Sequence, residues 1–97
     1  MLLKLLRIVP SHNKDKKYDA VFEKDGREKT IPFGASGYID YTQAPHDEKR
    51  KELYLKRHSK NENWNNPLSA GSLSKHILWS KPSLKESIKD FKNKFGV

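Results

Sequence analysis

Apolar residues recur at every second position as far as Phe33 and at three- and four-residue intervals beyond Pro45, and this change of period constrains the fold most. It falls within Phe33–His58, FGASGYIDYTQAPHDEKRKELYLKRH, where two glycines, three aromatics and an acid crowd Phe33–Tyr41 before a helical run begins. Strands followed by helices close most simply as two layers. The expected architecture is therefore α+β, with an N-terminal three-stranded antiparallel meander followed by three helices packed on one face. A chain of 97 residues with 34% hydrophobic content supports one domain with a thin core. Residues 1–44 would supply the meander and a Gly/Tyr loop, and residues 45–97 the three-helix half.

The strands are read from alternation. Leu3–Val9 places Leu3, Leu5 and Val9 on one face and Leu2, Leu6 and Ile8 on the other, and Pro10 ends it. Lys17–Glu23 puts Tyr18, Ala20 and Phe22 on one face, as in a half-buried strand. Asp25-Gly26 suits a two-residue turn with positive backbone angles, returning through Arg27–Phe33. That register sets Ala20 against Ile31, Tyr18 against Phe33 and, less favourably, Glu23 against Glu28. Pro32 cannot donate to a ladder, which predicts an open side for this strand.

Three helical segments are expected. The first opens at Pro45, has Asp47 and Glu48 near its start and Arg57 and His58 near its end, and reaches about Lys60. Asn61–Asn66 is read as a loop carrying Trp64. Pro67 opens the second, with Ala70, Leu73 and Ile77 at helical spacing. Ser83 and Glu86 form a capping box for the third, whose stripe is Leu84, Ile88, Phe91 and Phe95, and Gly96 suits its C-terminal cap.

Charge supplies the functional clue. The chain carries +8, and residues 46–97 hold 12 basic against 6 acidic side chains, so the helical half contributes +6 of it. Such a balance suits a polyanionic partner, either nucleic acid or an acidic protein surface. Lys85, Lys89 and Lys92 fall on one ridge of the last helix, as phosphate contacts or as a merely solvated face. Arg50, Tyr54, Arg57 and His58 fall on one face of the first helix, which has few aliphatic residues besides Leu53 and Leu55. Arginine grips phosphate bidentately and tyrosine stacks on a base. The plainer alternative packs Tyr54 on the sheet and pairs the arginines with Asp40 or Asp47. Trp64 and Trp79 are base-stacking candidates or core residues.

Other chemistries find little footing. There is no cysteine, which excludes disulfides and thiolate metal sites and suits a reducing compartment. His12, His46, His58 and His76 lack zinc-site spacing, and Ser72 and Ser74 near His76 lack a nucleophile elbow. No phosphate-cradling glycine loop is present. No enzyme activity, metal, cofactor or small-molecule substrate is expected. In MLLKLLRIV, Lys4 and Arg7 interrupt the apolar run and no cleavage site follows, so neither secretion nor a membrane span is expected.

The segments KKYDAVFE, KTIPFGASGYIDYT, HDEKRKELYLKRH, ENWNNPLSAGSLSKHILW and KPSLKESIKDFKNKF together resemble a family of small proteins of giant nucleocytoplasmic DNA viruses, of the mimivirus and phycodnavirus kind. That family has no established activity, so no site is carried over. The resemblance implies a viral origin, a place in cytoplasmic viral factories of the host, and packaging into virions. The expected function is a non-enzymatic basic protein binding DNA or RNA through phosphate contacts of its helical half. Its alternative is a structural, adaptor or minor virion protein whose basic face meets an acidic protein.

Overall fold

The computed structural model describes residues 2–60 and 64–97. It is α+β, with three strands in sequence order followed by three helices. The strands are β1 (Leu3–Pro10), β2 (Lys16–Lys24) and β3 (Arg27–Ala35), antiparallel with β2 in the centre. Asp25 and Gly26 both take positive φ, 52° and 84°, and close the two-residue β2–β3 turn. The register follows from it: Ala20 pairs with Ile31, Tyr18 with Phe33 and Glu23 with Glu28. Pro32 lies on the edge strand β3, where a missing amide is tolerated.

In β1 a strict alternation fails. Leu5 pairs with Phe22 but Arg7 with Val21, so Leu6 is an extra residue on its strand. Such a bulge inverts the facing of everything after it. Ile8, expected opposite Leu5, therefore packs on the same core as Leu5, while Val9 turns away beside Asp19.

Helix α1 spans Glu48–His58, with Ser59 as its C-cap. Pro45 stands outside it: the Asp47 carboxylate accepts from the amides of Lys49 and Arg50 and fixes the start two residues later. Likewise Pro67 precedes the second helix, because the Ser69 hydroxyl caps the amide of Ser72 and α2 runs Ala70–Leu73. Regular α geometry then gives way to a π-helical turn, Ser74–Leu78. Hydrogen bonding to the fifth residue brings Leu78 under Leu73, and Leu73, Ile77 and Leu78 are all buried. Helix α3 spans Leu84–Phe95, capped by Ser83 on the Glu86 amide and by Gly96 at φ 67°. Of the expected loop 61–66, residues 61–63 lie outside the described residues.

One core joins sheet and helices: Leu5, Ala20, Phe22, Ile31 and Phe33 meet Leu73, Ile77, Leu78 and Phe91. Leu84, Ile88 and Phe95 pack against its border, and the Phe22 and Phe91 ring centroids lie 6.4 Å apart. Helix α1 is different, with no buried residue. It is held at its flank: Lys51 donates to the Ser80 carbonyl (2.8 Å), Tyr41 donates to Glu48 (2.6 Å), and Tyr54 stacks on Trp79.

Candidate functional site

A cleft of about 550 Å³ opens between α1, the ends of β2 and β3, the Gly/Tyr loop and the π turn. Gly34 forms part of its wall. At φ 79°, with a Cβ that would stand 2.7 Å from the Leu78 side chain, that position admits little but glycine. The loop after it is tied back, Ser36 donating to the Lys14 carbonyl and the Tyr41 amide to the Leu78 carbonyl. Tyr38 and Ile39 are thereby turned out beside the cleft.

Four residues expected to act together, Arg50, Tyr54, Arg57 and His58, do line this one cleft. Two of them make ring contacts. The Tyr54 ring lies 4.5 Å from Trp79 at 8° and 4.3 Å from His58 at 30°. Tyr54 is thus stacked on Trp79 and in ring contact with His58. Trp79 is partly buried against the core, the plainer of the two places expected for a tryptophan.

The arginines do not pair with Asp40 or Asp47. Asp47 is committed to the α1 cap. Asp40 is buried and accepts from Lys17 Nζ (2.6 Å), the Thr42 amide (2.8 Å) and the Thr42 hydroxyl. The same ammonium donates to Gln43 (2.7 Å), so Lys17 is spent inside the wall. Arg50 instead reaches across the cleft to the Ile39 carbonyl at 3.4 Å. Lys16, Arg50 and Arg57 thus line the cleft with no carboxylate partner among the described residues.

The other expected site residues lie elsewhere. Lys85, Lys89 and Lys92 are exposed on α3 and do not line the cleft. Trp64 is also outside it: its carbonyl accepts from Ser72 Oγ (3.1 Å) and His76 Nε2 (3.0 Å), and Lys75 Nζ lies 4.8 Å from its ring centre. A carbonyl only accepts, so His76 carries its proton on Nε2. Trp64 serves as an anchor between the second helix and the preceding chain. Desolvation, then the charges of Lys94 and Lys51, hold the Lys75 ammonium below the ordinary lysine value.

Tyr38, Ile39 and Lys16 are cleft residues that the sequence does not mark as a site. The signal for Tyr38 lies in the glycines Gly34 and Gly37, both at positive φ, which turn the loop so that this residue is 70% exposed. A second polar cluster joins Ser11, His12 and Asp19. The buried Asp19 accepts from Ser11 Oγ (2.6 Å) and His12 Nδ1 (3.1 Å), and the Ser11 hydrogen bond foremost holds its carboxyl below the usual value. Both donors close the β1–β2 connection, and none of the three lines the cleft beside α1. Among the described residues no group of three or more His, Asp or Glu is placed to hold a metal ion. Nor is any helix among them long and apolar enough to cross a membrane.

No curated protein and no solved structure matches the chain. Residues 6–58, just over half of it, match a family of unknown function, DUF5754, whose description names neither a source nor an activity. The matched stretch holds every cationic residue that lines the cleft and stops before the α3 lysines. The chain belongs to the family of unknown function DUF5754.

Proposed function

We propose that this protein is a basic, non-enzymatic module that binds nucleic acid, chiefly through phosphates, in the cleft beside α1. The observation that carries the reading is the set Lys16, Arg50 and Arg57, three cations lining one concavity while the nearby aspartates are engaged elsewhere. Cations gathered without counter-ions repel one another, and a phosphate relieves that repulsion. The two arginines lie seven positions apart, about 10 Å along the helix axis, so they address different phosphates. Lys85, Lys89 and Lys92 extend the basic surface on α3. Labelled DNA and RNA titrated at stepped salt test the reading: binding is tightest at low salt and falls steeply as salt rises. Absence of binding to both at low salt overturns it.

A second reading has its own support. Ile39 and Leu53, 43% and 52% exposed, line the same cleft, and aliphatic surface beside arginine and tyrosine also suits a protein partner with an acidic segment. In that case an acidic peptide, and neither nucleic acid, would bind at low salt. A place in viral factories or virions is the setting we propose for either partner.

A further inference from the structure

Four large apolar side chains stand well exposed on the described surface, Leu2, Tyr38, Ile39 and Leu53, and all but Leu2 line the cleft. Exposed apolar surface gathered in one concave, cationic place calls for a ligand with both a flat apolar part and negative charge. Arg50 sharpens the point. Its guanidinium bonds the carbonyl of Ile39, the residue after Tyr38, and Arg50 and Tyr38 both line the cleft, so one ligand can meet a phosphate-gripping group and an exposed aromatic residue there.

Building on the nucleic-acid reading, we infer that the cleft takes a single strand in preference to a duplex, with a base laid on the Tyr38 ring and flanking phosphates on Arg50, Arg57 and Lys16. A duplex keeps its base faces stacked inside and can offer this cleft only phosphates. A single strand offers both, and stacking on an exposed ring is sequence-tolerant because every base has a π-face. Tyr54 suits this part less, since its ring is already stacked on Trp79 and in contact with His58. Nor does α1 present its Arg50–Arg57 face as a recognition helix for a major groove, because that face borders the cleft.

The test is fluorescence anisotropy at low salt with a labelled oligothymidylate of about 12 nucleotides, within the span one small domain covers, and a duplex of equal length. The single strand should bind roughly 5- to 150-fold tighter, the range that stacking of one base supplies. Tyr38→Ala should bring single-strand affinity down to the duplex level and leave duplex affinity unchanged, while Tyr38→Phe keeps the preference. Tyr38 lies outside the core, and an unchanged denaturation midpoint verifies that the variant is folded. Equal or tighter duplex binding by the unaltered protein overturns the inference and leaves the nucleic-acid reading standing, as does single-strand affinity indifferent to Tyr38→Ala. Binding to neither oligonucleotide overturns both.

Discussion

At the scale of single residues, the cleft wall depends on a buried ion pair. Lys17 and Asp40 have side chains only 14% and 4% exposed, at 2.6 Å. Removing one partner leaves the other charge stranded in low dielectric, which typically costs about 3–5 kcal/mol. Asp40→Ala should lower the urea midpoint accordingly, and a midpoint unchanged from the parent would contradict this placement. His76 makes a prediction of opposite chemical sense. Burial, foremost, and the nearby ammoniums of Lys75 and Lys94 hold its imidazole below the usual 6.5, against the Trp64 carbonyl bond that pulls upward. Below about pH 6.5 the unfolded chain takes up a proton that the folded chain refuses. Stability is therefore full above that pH and declines as pH falls through the depressed native value. Denaturation midpoints between pH 7 and 5 should show the decline, and His76→Gln should flatten it. Neither residue's setting is legible in the sequence: Asp40 finds Lys17 across 23 positions, and His76 is half-buried against Phe91 and Phe95 from another helix.

At the scale of elements, legibility follows locality. The Asp25-Gly26 turn and the Ser83 cap act within four residues, and both form where their residues stand in the sequence. The Leu6 bulge and the π turn leave no such mark, because each is settled by packing against distant partners: Ile8 gains the core by the bulge, and Leu78 joins Leu73 there by the π turn. Proline misleads twice. Pro45 and Pro67 suit a first helical turn, but Asp47 and Ser69 supply capping oxygens two residues later, and a satisfied amide decides the boundary. The stripe of α3 is plain in the sequence, and it is here that the fold is most sensitive to truncation. Phe91 is 1% exposed beside Phe22 in the core cluster, so Phe91→Ala should cost about 3–5 kcal/mol by calorimetry or urea melting. In a small domain with about 5–15 kcal/mol in all, that is a large share.

At the scale of the whole molecule, the thin core and the cleft have one origin. With the buried apolar surface concentrated in the sheet, the π turn and α3, helix α1 buries none of its residues fully and is tied to the body by a ring stack and polar contacts. The gap it leaves is the cleft, and the face it turns there carries Arg50 and Arg57. The poverty of aliphatic residues on α1 is visible in the sequence, and so is its arginine face. The exposed Tyr38 across the gap is not, since only the folded loop brings it alongside. The measurement closest to the central claim is the slope of log affinity against log salt for nucleic acid, compared among variants that remain folded by circular dichroism. Replacing one side chain that meets a phosphate should lower the slope's magnitude by about one unit. The Arg50→Ala/Arg57→Ala double variant should therefore lower it by about two and bind more weakly than any single α3 lysine variant. A double variant with the parent's slope and affinity would contradict the account, whatever the lysine variants did.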